Sequence, residues 1–136
     1  MINLMIDQFV SLNREKAIVF TSLGQLRYLS ALQYVDAVVG NTSSGIVEAP
    51  SFKLATINIG NRQKGRIQAS NVINTSSGSK DLARAFEYLY SKEFIKELET
   101  VKNPYYNKGN AAFKIKEILK NEILDTLLNK SFFDLQ

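Results

Sequence analysis

Ile2, Met5, Ile6, Phe9 and Val10 recur at steps of three and four residues, which predicts a helix over 1–13. The run KAIVFT (16–21) that follows is β-rich and apolar, the pattern of a short buried strand. The same order repeats. Leu26, Leu29, Leu32 and Val35 share one face of a helix predicted from Gln25 to Val35, between Gly24 and Asp36, and DAVVG (36–40) is again a short apolar run. A polar turn, Asn41 to Ser44, opens a helix kept short by Pro50, LATINIG (54–60) is a third apolar run, and NVINT (71–75) is a weaker fourth.

Strands alternating with helical pattern predict an α/β domain with a mostly parallel sheet covered on both faces. Beyond residue 78 the pattern is helical. Ser79 reads as an N-cap with Asp81 in the first turn, and Leu82, Ala85, Phe86 and Leu89 form an apolar face that Phe94, Ile95 and Leu98 continue. After NPYYNKGN (103–110), Ala111, Ile115, Leu119, Ile123 and Leu127 recur every four residues, widened by Ile118, Leu124 and Leu128. So broad a stripe either packs on the domain's own sheet or docks on something outside this chain. No repeat or linker splits the 136 residues, so one domain over 1–136 is expected.

The absence of any Cys or His excludes disulfides, thiol nucleophiles, zinc fingers and every His-based triad or proton shuttle. Acid–base chemistry falls to carboxylates, Lys or Tyr. The N-terminal stretch lacks the basic start and apolar run of a signal peptide, and no stretch has the length of a membrane span, so a cytoplasmic protein without membrane contact is expected. The net charge of +4 is unevenly placed: residues 1–52 carry −1, residues 79–136 carry +1, and 53–78 hold Lys53, Arg62, Lys64 and Arg66 with no acid. So local an excess points to a bound anion. It does not resemble the extended basic surface, interleaved with aromatics, of a nucleic-acid binder.

GNTSSGIVEAP (40–50) follows a strand and opens a helix, where an α/β domain presents unpaired backbone N–H groups and the positive end of a helix dipole. Thr42, Ser43 and Ser44 add hydroxyls, and Gly45 permits close backbone approach. The spacing is neither G-x-G-x-x-G nor a lysine-bearing P-loop. Capping by the hydroxyls is the plain alternative. Glu48, four residues past Ser44, lies one turn into the helix, where its carboxylate would repel phosphate but can accept from two vicinal ribose hydroxyls. Its alternative is a solvated surface glutamate. GNRQKGR (60–66) after the third strand brings Arg62 to the same sheet edge, and its fork suits a diphosphate. Hydroxyl loop, carboxylate and arginine together are complementary to a nucleoside diphosphate.

The stretch from SLGQLRY through GNTSSGIVEAPSFKLATINIGNRQKGR, with NPY near residue 104, resembles the C-terminal nucleotide-binding domain of the hydrolysing UDP-N-acetylglucosamine 2-epimerases of sialic-acid-type sugar biosynthesis. The resemblance covers nearly the whole chain and corresponds to the last third of such an enzyme. It implies a Rossmann-like three-layer sandwich, one half of a glycosyltransferase-B architecture. It also implies that Thr42 and Ser43 contact the UDP diphosphate, that Ser44 and Gly45 complete the turn, that Glu48 binds ribose, that Arg62 lines the pocket and that Tyr28 lies near the uracil. Thr42 stands where serine is usual, with the hydroxyl retained. Lys64 and Arg66 belong to the motif without an assigned role.

The family's reaction is anti elimination of UDP followed by addition of water, releasing N-acetylmannosamine. The acidic residues and histidine assigned to it lie upstream of anything matching this chain. The resemblance therefore implies UDP or UDP-N-acetylglucosamine as ligand, no cofactor, no catalytic residue within these 136 positions, and a partner: an N-terminal epimerase domain or further copies of the chain. In a sheet of order 3-2-1-4-5-6, lacking its first two strands, KAIVFT is separated from DAVVG by a gap. Re-pairing, another chain or an exposed edge would resolve it. A non-catalytic nucleotide-sugar module and half of another glycosyltransferase-B enzyme are the competing readings.

Overall fold

The computed structural model describes residues 1–106 and 109–122. The chain divides into two compact units, Met1–Asn103 and Pro104–Gln136. In the first, helices α1 (Ile2–Leu12) and α2 (Gly24–Ala31) precede strand β1 (Ala37–Gly40), and helix α3 (Ser44–Val47) with a 3-10 turn (Ala49–Phe52) leads to β2 (Ala55–Ile59). Strand β3 (Val72–Thr75) and helices α4 (Ser79–Leu89) and α5 (Lys92–Glu99) follow. The second unit contains α6 (Ala111–Asn121).

The three strands form a parallel sheet of order β1-β2-β3, with Val39 opposite Ile57 and Ile57 opposite Ile73. Alternation along β2 sends Ala55 and Ile57 to one face, where they pack with Ala85, Leu89 and Phe94 from α4 and α5. On the other face Leu32, just past α2, packs with Ala49 and Leu54, joined by Tyr28, Leu29, Val38 and Phe52. Residues 55–58 of β2 are therefore buried on both sides, the polar Thr56 and Asn58 as well as the apolar Ala55 and Ile57. The molecule is an incomplete Rossmann-like α/β sandwich.

Several boundaries depart from expectation. KAIVFT is no strand: residues 17–20 are irregular, with Ile18 and Phe20 75% and 55% exposed. A strand exists only when a neighbour completes its ladder, and among the described residues β1 pairs with β2 alone. α2 ends at Ala31 instead of Val35, because residues 32–34 tighten into a turn that buries Leu32 and leaves Val35 exposed. The chain continues through Pro50 as the 3-10 turn, which places the proline in its first positions, where no N–H is required.

Gly78 is the N-cap of α4 and Ser79 its first residue. The single apolar face expected over 79–98 is divided between two helices, since the Ser91 hydroxyl accepts from Phe94 N at 3.2 Å and starts α5 anew. In α6 no residue is buried, and Phe113, Ile115, Ile118 and Leu119 are exposed. Ile123, Leu124, Leu127 and Leu128 of the predicted stripe lie outside the described residues.

Candidate functional site

Because all three strands run parallel, the turns after β1, β2 and β3 emerge at one edge of the sheet, where open α/β folds bind ligands. β1 ends at Gly40, whose φ of +146° lies in the region that favours glycine. In the turn that follows, Thr42 Oγ1 accepts from Ser44 N at 3.2 Å. The Ser43 carbonyl accepts from Ile46 N and Val47 N at 3.0 and 2.9 Å, and the Ser44 carbonyl accepts from Glu48 N at 2.9 Å. Thr42 and Ser43 are exposed at the helix start; Ser44 is half-buried and its Oγ hydrogen-bonds Tyr28 Oη. Tyr28, carried by α2, thus reaches the turn through its hydroxyl while its ring packs with Leu29 and Val38 over the second apolar cluster.

Gly45 is buried, and its missing Cβ serves packing: a Cβ there would stand 2.3 Å from Thr56 Cγ2. Its carbonyl accepts from Thr56 Oγ1 at 2.9 Å and from Asn71 Nδ2 at 3.3 Å. Asn71, fully buried, also donates to the Leu54 carbonyl at 2.8 Å, so one amide ties α3, β2 and the approach to β3 together. Glu48, between α3 and the 3-10 turn, is half-buried, and its Oε2 is buried with no hydrogen-bond partner among the described residues. Such an acceptor is costly unless a donor completes it.

Arg62 is exposed in the turn after β2 and makes no ion pair among the described residues. The turn is fastened to the hydroxyl loop by Gln63, 2% exposed, whose Nε2 donates to the Asn41 carbonyl at 2.7 Å. Thr42, Ser43, Ser44, Gly45 and Tyr28 are therefore brought into one assembly, and Arg62 stands next to the residue that clamps its turn to that assembly. Gln63 and Asn71 were not singled out by sequence; for Gln63 the only signal is its place inside GNRQKGR. Of the four basic residues in 53–78, Lys53 is occupied, its Nζ donating to the Glu99 carbonyl at 2.7 Å.

Comparison with known proteins identifies the family. The family model described as UDP-N-acetylglucosamine 2-epimerase matches residues 1–120. The chain is 47% identical over 135 residues to the GDP/UDP-N,N'-diacetylbacillosamine 2-epimerase (hydrolyzing) of Campylobacter jejuni, covering 99% of this chain and 35% of that protein. It is 36% identical to polysialic acid biosynthesis protein P7 of Escherichia coli, over 79% of this chain and 28% of that one. With the UDP-N-acetylglucosamine 2-epimerase of Neisseria meningitidis it shares 26% identity, over 96% of this chain and 34% of that one. The chain thus spans about a third of the length of these curated relatives. With a Rossmann-like sheet edge carrying the hydroxyl turn and a family match over most of its residues, the chain belongs to the UDP-N-acetylglucosamine 2-epimerase family.

Proposed function

We propose that this chain is the UDP-binding portion of a hydrolysing 2-epimerase that converts UDP-N-acetylglucosamine to N-acetylmannosamine and UDP, and that the chain alone does not turn over. The observation that carries this reading is the buried, unpartnered Glu48 Oε2 one turn beyond the exposed hydroxyls of Thr42 and Ser43. Phosphate oxygens at the start of α3 receive hydroxyl and backbone donors, a ribose hydroxyl supplies the donor that Glu48 lacks, and Arg62 adds charge on the diphosphate. Tyr28 supports the site at the uracil side or by holding the Ser44 hydroxyl.

Elimination of UDP needs a base at C2 and stabilisation of the leaving phosphate. We assign the base to an epimerase domain that pairs with this one across a glycosyltransferase-B cleft, because the acidic residues and histidine that the resemblance gives to this step have no counterpart among these 136 residues. No helix among the described residues is long and apolar enough to cross a membrane; the cytoplasm is part of this proposal. A second reading of the sugar is favoured by the Campylobacter jejuni relative, whose name covers GDP- and UDP-linked N,N'-diacetylbacillosamine. Calorimetric titration of the chain with UDP, GDP, AMP and UDP-N-acetylglucosamine tests both. Saturable binding that prefers UDP supports a UDP-linked substrate, which both readings allow, preference for GDP supports the second alone, and no binding to the folded chain defeats the nucleotide-binding role.

A further inference from the structure

The nucleotide reading leaves Lys64 and Arg66 unused. Together they line a cavity of about 710 Å3 at the C-terminal ends of β2 and β3, bounded also by Gly60, Gly65 and residues 75–77. None of Thr42, Ser43, Glu48 or Arg62 lines it. Neither does any carboxylate. The nearby Asp81 receives a hydrogen bond from Ser76 Oγ and pairs with Arg84 at 3.8 Å. Lys64 and Arg66 make no ion pair among the described residues. Two cations held at one polar concavity without counter-charge repel each other, and an oxyanion between them removes that repulsion.

The backbone and the floor point the same way. Among the described residues the N–H groups of Gly65 and Ser77, both lining the cavity, donate no intramolecular hydrogen bond. The floor is an amide relay: Asn58 Nδ2 donates to Asn74 Oδ1 at 2.8 Å, and Asn74 Nδ2 donates to Gln68 Oε1 at 2.8 Å. Asn58 is only 3% exposed, one of its Nδ2 hydrogens serves the relay, and its Oδ1 is buried with no partner among the described residues. The lining thus offers cationic and N–H donors at the rim and an unfilled acceptor at the base. A ligand complementary to it carries an anionic group and, beside it, a hydroxyl.

We propose that this cavity is a second ligand site, separate from the hydroxyl turn after β1, which takes a small hydroxylated oxyanion through Lys64, Arg66 and the Gly65 and Ser77 amides. The proposal does not depend on the identity of the nucleotide. The test is a titration of the 136-residue chain with glycerol 3-phosphate and, separately, glycerate, followed by backbone amide shifts in the presence and absence of saturating UDP. The expected result is saturable movement of the Gly65, Thr75 and Ser77 resonances, unchanged by UDP, and about tenfold weaker binding in the Lys64→Gln/Arg66→Gln variant with an unaltered melting temperature. Stronger response to the first ligand identifies phosphate as the group recognised, and to the second, carboxylate. Arg66→Lys keeps the charge and retains most of the binding. Absence of saturation with either ligand, displacement by UDP, or equal binding by the doubly substituted chain overturns the proposal.

Discussion

Gly45 and Thr56 are in contact so close that a single added carbon cannot be accommodated: a Cβ on Gly45 would lie 2.3 Å from Thr56 Cγ2 and 3.2 Å from its Cβ. The same pair shares a hydrogen bond from Thr56 Oγ1 to the Gly45 carbonyl at 2.9 Å. The seating of α3 on β2, and with it the position of the hydroxyl turn, is set by this contact. Gly45→Ala should destabilise the chain by about 1–3 kcal/mol through overpacking. Denaturant unfolding measures it, and adding Thr56→Ser, which deletes Cγ2 while keeping the hydroxyl, should restore part of the loss.

Glu48 is expected to be costly to the fold and useful to the ligand. Its Oε2 is buried without a partner, so Glu48→Ala removes an unsatisfied acceptor and should leave stability unchanged or raised. UDP affinity should fall by about 1–3 kcal/mol through loss of charge-assisted hydrogen bonds to ribose. Calorimetry and thermal unfolding of one variant read both effects. Unchanged UDP affinity removes Glu48 from the site.

The hydroxyl of Tyr28 and that of Ser44 form one unit. Tyr28→Phe keeps the ring in its apolar cluster but frees Ser44 to rotate, and should cost about 1 kcal/mol of stability. If the hydroxyl acts through Ser44, then Tyr28→Phe and Ser44→Ala weaken UDP binding alike and non-additively in a double-mutant cycle. Additive effects would assign the Tyr28 hydroxyl a contact of its own, independent of Ser44.

How far the sequence disclosed this arrangement depended on whether a residue's role was local. β1, β2 and β3 were legible as short β-rich runs bounded by turn signals, although β2 buries the polar Thr56 and Asn58 among its apolar residues. KAIVFT carries the same pattern without becoming a strand, because composition does not supply the neighbouring ladder. The hydroxyl turn was legible from its place between strand and helix. Gln63 and Asn71 were not, since a polar residue in a loop reads as solvated until its long-range partner, Asn41 or Gly45, is known.

Gln63 accordingly offers a test of whether the turn after β2 belongs to the nucleotide site. The hydrogen bond that its Nε2 donates to the Asn41 carbonyl, at 2.7 Å, links the two turns, and Gln63 itself is 2% exposed. Gln63→Ala should lower stability by about 1–2 kcal/mol and loosen the turn that carries Arg62 from the hydroxyl turn. UDP binding should weaken in Gln63→Ala as it does in Arg62→Ala, without further loss when both are changed. Full affinity in Gln63→Ala would mean that Arg62 needs no such fastening.

The free edge of β1 leads to the last prediction. Val39 on that strand is 47% exposed, and α1 with the segment after it adds Phe9, Ile18 and Phe20 at 61%, 75% and 55%. Among the described residues one edge of β1 is unpaired and no proline, bulge or inward charge blunts it, and such an edge on a chain with exposed apolar side chains is a template for association. The isolated 15.3 kDa chain should therefore sediment as an oligomer, with the fraction of monomer rising on dilution. Val39→Lys places a charge on the edge strand and should shift the equilibrium toward monomer. A concentration-independent monomer in the unsubstituted chain would show that burying this edge is not required for the chain to remain folded and soluble.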